Sequence, residues 1–245
     1  NDSDLAEIKA EGEALDIGHG ISFVHPMKIW AGVYEDVADA AIVIITAGAN
    51  QKPGETRLDL VHKNIGILKG IMPEVTKYNK TGIIMIVSNP VDILTYAALK
   101  ISGLPENRVI GSGTVLDTAR LKYEMGEFLE VDSRGVHAFI VGEHGDSQIA
   151  AWSSANVSGV PLKEFFKIRS DIDSNKELKE ATEEIAERVK NSAYEIIERK
   201  HATYYGIAMA VKRIGEAIVR DEKSVLPISS MMDGEDGLTD GVLCM

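Results

Sequence analysis

The sequence predicts an α/β fold organised on a parallel sheet, with an α+β region following it. Three observations carry that expectation. The runs Ile42 to Thr46 and Ile83 to Val87 are continuously apolar rather than alternating, the pattern of strands buried on both faces. Between them, Arg57 to about Tyr78 has a helical period, with Leu60, Ile65, Leu68 and Met72 at its apolar positions. Both strand runs end in small or polar residues, Thr46-Ala47-Gly48-Ala49 and Ser88-Asn89-Pro90, at the strand ends where open α/β sheets bind ligands.

Each element has its own justification. Leu5, Ile8, Ala14 and Leu15 mark one side of an opening helix that Gly12 weakens. Met27 to Ala31 reads as a short strand, and Asp39 to Ile45 as a buried parallel one. Residues 50 to 56 hold Pro53, Gly54 and polar groups ahead of the next helix, a composition suited to a lid. Pro90 suits the first turn of a helix over Val91 to Ile101, where its missing N–H is not needed, and Asn89 suits the cap before it. Arg108 to Gly111 is expected as the last strand of a first domain, residues 1–111, with Gly111-Ser112-Gly113 as a hinge into a second, residues 112–245. A helix over Thr114 to Phe128 follows. Pro161 to Phe166 reads as a short helix. Asp173 to Arg199 reads as a long amphipathic one, with Ile185, Val189, Ala193 and Ile196 apolar. His201-Ala202-Thr203 interrupts it, Tyr204 to Val219 is the next helix, and Ser224 to Met232 reads as a strand of the second domain.

Composition narrows the functional class. A net charge of −12 with no basic stripe argues against a nucleic-acid partner. The apolar runs fall far short of the ~18 residues that span a bilayer, so no membrane role is expected. The lone Cys244 has no partner for an internal disulfide, which favours a reducing, cytoplasmic setting. No metal-ligating set is expected.

The chemistry gathers in three clusters. Val141-Gly142-Glu143-His144-Gly145-Asp146 follows the apolar run Ala138 to Val141 and puts an imidazole, able to exchange a proton near neutral pH, between two glycines. Asp117 and Arg120 sit three apart on one helix and share a face. A bare pair of that kind is usually a solvated ion pair worth a few tenths of a kcal/mol, and here His144 gives it another purpose. The loop Gln51 to Thr56 leads to another guanidinium, Arg57.

At these residues the chain resembles the L-lactate dehydrogenases, within the lactate/malate dehydrogenase family. The blocks ITAGANQKPGETRLDLV, VSNPVDILTY, GSGTVLDTAR, GEHGD and KHATYYGIAMA carry the resemblance, in order and at family spacing. It implies an incomplete Rossmann-type parallel sheet followed by an α+β catalytic domain, and NAD-dependent interconversion of (S)-lactate and pyruvate in glycolysis and pyruvate fermentation. His144 would be the acid and base, Asp117 its orienting carboxylate, and Arg57 the group that polarises the carbonyl. Arg120 would bind the substrate carboxylate, with Gln51, Asn89 and Thr203 as further substrate contacts. Thr46, Ala47, Gly48, Ala49, Val87 and Asn89 would meet the cofactor.

Gln51 is neutral where malate-type enzymes carry an arginine for a second carboxylate, which favours lactate over a malate-type 2-hydroxy acid. The resemblance further implies a homo-oligomer, tetramer or dimer. Lys122 and His137 match positions where bacterial relatives bind fructose 1,6-bisphosphate through an arginine and a histidine. His19, His25 and His62 are expected to be surface or structural. Family members mostly carry glycine where His201 stands.

No G-x-G-x-x-G turn occurs in the 245 residues, and the resemblance places a strand-helix-strand unit of roughly 30 or more residues before Asn1. The expectation is a chain shortened at both ends. By itself such a chain would hold NADH poorly, and a catalytically incompetent fragment that keeps interface surface is the alternative reading.

Overall fold

The computed structural model describes residues 2–49, 54, 56–169, 174–232 and 241–244. Helix α1 (Asp2–His19) opens the chain and runs through Gly12; Ile8 and Leu15 on it are exposed. β1 (Ile42–Ile45) pairs in parallel with β2 (Ile83–Ile86), which pairs in parallel with β3 (Val109–Gly111). α2 (Arg57–Tyr78) and α3 (Val91–Ser102) make the crossovers.

The continuous apolar character of β2 is explained by what covers it. Alternate residues of a strand point to opposite faces. Ile84 and Ile86 pack with Leu68 and Met72 of α2 and Leu94 and Ala98 of α3. Met85 points the other way, into a cluster with Ile110, Val115 and, from α7 (Tyr205–Val219), Ala210 and Ile214. Both faces of the strand are therefore dry.

Beyond the sheet, α4 (Val115–Leu129) packs with α5 (Leu162–Arg169), α6 (Ser174–Lys200) and short strands β4 to β8: Val136–His137, Ile140–Val141, Ile149–Ala150, Asn156–Val157 and Val160–Pro161. Their shared core holds Leu121, Met125, Val136, Ile140, Val157, Phe166, Ile185 and Val189. The chain then returns to the first sheet. β9 (Ser229–Met232) pairs antiparallel with β3 at Gly111, and β10 (Gly241–Cys244) pairs antiparallel with β9. The sheet order is β1-β2-β3-β9-β10.

Three local expectations change. Met27 to Ala31 is not a strand, because no described strand lies beside it to complete a ladder. The strand expected over Ser224 to Met232 is confined to Ser229–Met232 and extends the first sheet. A side chain on Gly111 would meet Thr95 Oγ1 and would lie 2.7 Å from Ser229 Oγ, so the bare α-carbon is what lets β9 sit there. Pro90, not Asn89, is the N-cap of α3, and no side chain caps that helix. Among the described residues, no helix is long and apolar enough to cross a membrane.

Candidate active site

The site is assembled by docking β5 onto α4. Thr114 Oγ1 donates to the carbonyl of Ile140 at 2.6 Å, and the Ile140 N–H donates to Thr118 Oγ1 at 2.9 Å. Those bonds set where the loop after Val141 begins. Gly142 and Gly145 lie at φ +86° and +145°, with open space around each α-carbon. Backbone conformation, not crowding, is therefore what asks for glycine on both sides of the histidine. The loop returns over α4 and places His144 Nδ1 2.6 Å from Asp117 Oδ2. One turn along α4, Arg120 Nη1 donates to Asp117 Oδ1 at 2.9 Å. Both oxygens of a carboxylate that is 3% exposed are thus engaged.

Electrostatics follow from that geometry. Burial pushes the Asp117 pKa up, but the hydrogen bond and charge of His144 and the charge of Arg120 outweigh it, and the net shift is downward. Burial pushes the His144 pKa down; the bond and charge of Asp117 and the charge of Asp92 overcome that and the opposing charge of Arg120, so the net shift is upward. An ionised Asp117 can only accept, so Nδ1 carries the proton and Nε2 is the nitrogen left to exchange one. The arrangement can give or take a proton near neutral pH beside a guanidinium that is 14% exposed.

The loops after β1 and β2 form the second half of the site, and Asn64 of α2 stitches them together. Its Oδ1 accepts from the Ala49 N–H at 2.8 Å, and its Nδ2 donates to the Asn89 carbonyl at 2.8 Å. Ser88 Oγ donates to the Ala47 carbonyl at 2.6 Å. A side chain at Gly48 would lie 3.3 Å from Ser88 Cβ, so the loops pack closely around this glycine. Thr46, Ala47, Gly48, Ala49, Val87 and Asn89 therefore share one rim at the carboxyl ends of parallel strands. Small, uncharged and rich in backbone groups, that rim has the chemistry to hold part of a dinucleotide.

Not every candidate joins these clusters. Gln51 lies outside the described residues. Arg57 is the first residue of α2, whose start Thr56 and Asp59 cap reciprocally. Thr203 is half-buried in the turn between α6 and α7. Lys122 is half-buried on α4, and His137 is exposed on β4, which packs against it. Asp92, Ser229 and Asn64 were missed in the sequence. The one signal that could have found Asp92 is an aspartate inside the otherwise apolar opening Val91-Asp92-Ile93-Leu94.

Comparison with known proteins agrees along the whole length. The profile of the lactate/malate dehydrogenase NAD binding domain matches residues 3–111, and that of the lactate/malate dehydrogenase alpha/beta C-terminal domain matches residues 114–245. An L-lactate dehydrogenase of Acetivibrio thermocellus is 53% identical over 241 residues, 97% of this chain and 74% of the relative. L-lactate dehydrogenase 1 of Clostridium acetobutylicum is 52% identical over 238 residues, with the same shares covered. In the solved structure of a minor L-lactate dehydrogenase from Enterococcus mundtii in its ligand-bound form, the match covers 96% of this chain and 74% of that one, at a TM-score of 0.89 and 48% identity. On the fold, the two profiles and these relatives, the chain belongs to the lactate/malate dehydrogenase family.

Proposed function

We propose that this chain is an NAD-dependent L-lactate dehydrogenase that interconverts (S)-lactate and pyruvate, with His144 as its acid and base. The contact that carries the reading is His144 Nδ1 to Asp117 Oδ2 at 2.6 Å, braced by Arg120 on the other carboxylate oxygen. In reduction, the His144 imidazolium gives its Nε2 proton to the substrate carbonyl oxygen. In oxidation, the neutral ring takes the hydroxyl proton back. Asp117 holds the tautomer and stabilises the imidazolium, as a buried carboxylate does for other catalytic histidines. Arg120 binds the substrate carboxylate through the N–H groups it does not spend on Asp117. Arg57 opposes charge developing on the carbonyl oxygen, and Gln51, Asn89 and Thr203 bound the rest of the substrate.

NAD, when bound, supplies the acceptor or donor of the hydride. Thr46, Ala47, Gly48, Ala49, Val87 and Asn89 would hold its nicotinamide end on the rim that Asn64 fixes. Gln51 leaves a substrate methyl without a countercharge, which supports pyruvate over a dicarboxylate.

A cytoplasmic homo-oligomer, tetramer or dimer, completes the reading. The exposed apolar side chains of Ile8, Leu15, Phe23 and Trp30 support an interface along α1 and the segment after it. A bisphosphate site at Lys122 and His137 rests on the resemblance alone, and kinetics that do not respond to fructose 1,6-bisphosphate would remove it.

The function is tested by pyruvate reduction at millimolar NADH. Replacing His144→Gln is expected to lower the rate by about 10²- to 10⁴-fold, the usual worth of a general acid. Undiminished turnover in that variant, or a preference for oxaloacetate in the parent, would overturn the assignment.

A further inference from the structure

Asp92 lies in the first turn of α3 and is 6% exposed. Its Oδ2 accepts the His144 backbone N–H at 2.8 Å, and its Oδ1 accepts the Ser229 hydroxyl at 2.5 Å. One buried carboxylate thus joins α3, the His144 loop and β9. Enclosing a charge is costly, and a neutral side chain could have tied the same segments together.

We propose that Asp92 is a second positioning carboxylate for His144: it fixes the backbone of the histidine loop from α3, and its charge favours the protonated ring. The inference rests on the acid and base reading of His144. Among the described residues, the groups facing the imidazole are Asp117 and Arg120 from α4 and Asp92 from α3, while β9 brings the neutral Ser229. On the histidine's own loop, Glu143 accepts from Ser147 Oγ and Asp146 accepts from Tyr194 Oη. Asp117 and Asp92 both raise the ring's proton affinity, and Arg120 opposes them. With its two carboxylates held by different elements, the ring draws its charge preference from both α3 and α4.

The test is a pH titration of the six histidine rings by NMR in the 245-residue chain, with the His144 signal identified by its loss in His144→Gln. In Asp92→Asn the amide oxygen can still accept from the His144 N–H, and the amide NH₂ can donate to Ser229 Oγ, so the tie survives and the charge does not. The His144 midpoint is expected to fall by about 0.5 to 1 pH unit. The pH profile of pyruvate reduction should move with it, and kcat should change more than KM. Asp92→Ser serves the same reading if the amide variant does not fold. Ser229→Ala keeps the charge and removes the bond to Asp92 Oδ1; its midpoint is expected to stay, while exchange of the His144 amide speeds up by roughly tenfold.

An unmoved midpoint once the Asp92 charge is gone overturns the proposal. So does a fall in Ser229→Ala as large as in Asp92→Asn, because geometry would then account for all of it. Ring titration needs no turnover. If the midpoint falls as expected but His144→Gln leaves pyruvate reduction intact, the dehydrogenase reading fails while the action of Asp92 on the ring stands.

Discussion

Asp117 has two donors and no spare oxygen: the imidazole takes Oδ2 and the guanidinium Oδ1. Its ionised form is what makes Nδ1 a donor, so the amide of Asp117→Asn would leave the ring free to choose the wrong tautomer. Pyruvate reduction is expected to fall by about 10²- to 10⁴-fold. In the proposed mechanism reduction draws its proton from the His144 imidazolium, so its rate is expected to be high below the His144 pKa and lost as pH rises through it. Removing Asp117 lowers that pKa, so the alkaline limb of the profile should move to lower pH; a limb that stays in place would contradict the coupling.

The same pair leaves a mark on stability. His144 is raised above its ordinary value near 6.5, so its contribution is complete below 6.5 and lost as pH climbs through the native value. Asp117 is lowered below its ordinary value near 3.9, so its contribution is present above 3.9 and lost as pH drops through the native value. The window in which both contribute fully is therefore about pH 4 to 6.5. These three residues were legible in the sequence because glycines frame His144 and one helical turn separates Asp117 from Arg120. Asp92 was not: its partners are 52 and 137 residues away, and no local spacing encodes them.

At the level of elements, what the chain states locally is what could be read from it. The expected α2 limits are the observed ones, Arg57–Tyr78, because the apolar period lies within the segment and the residues that cap its start, Thr56 and Asp59, are three positions apart in the chain. The strand expected at 27–31 needed a neighbour that its own residues could not supply. Asn64 shows the same limit: on α2 it is a polar residue on a buried face, and only the folded chain reveals that it ties two loops. Truncating it as Asn64→Ala would leave the Ala49 N–H without its acceptor, at a cost of about 1–3 kcal/mol. Urea unfolding should register that loss. A midpoint equal to the parent's would mean that water replaces the amide fully. The turn between α6 and α7 points the other way. His201 sits at φ +68°, a left-handed conformation that costs a residue with a β-carbon. His201→Gly is expected to gain about 0.5–1 kcal/mol, seen as a higher urea midpoint; a loss would mean that the histidine side chain contributes more than the backbone strain removes.

Over the whole molecule, the sheet joins what the sequence separates. Residues 42–111 supply β1 to β3 and residues 229–244 supply β9 and β10, so the last strands complete a sheet begun before α4. The crossing itself is buried: the Ser112 N–H donates to the Ile86 carbonyl at 2.8 Å, and the Thr114 N–H donates to the Pro227 carbonyl at 3.0 Å. Gly111 and Ser112 were read as a hinge from composition, yet they sit among strands on both sides. Asp92 adds a tie from α3 to the histidine loop, so neither profile-matched half can open without exposing part of the other. Cooperative unfolding follows from such shared burial.

Trp152 packs against the α4–α6 core, and with Trp30→Phe removing the other tryptophan its fluorescence reports that core alone. Hydrogen exchange of the β2 amides reports the sheet. Across a urea series the two midpoints are expected to agree within about 0.3 M, as one two-state unit requires. An earlier loss of Trp152 fluorescence while β2 stays protected would show the α4–α6 core melting off an intact sheet. The His144 loop would then lose Asp117 before it lost Asp92, and activity in mild urea should disappear with the fluorescence, not with the exchange.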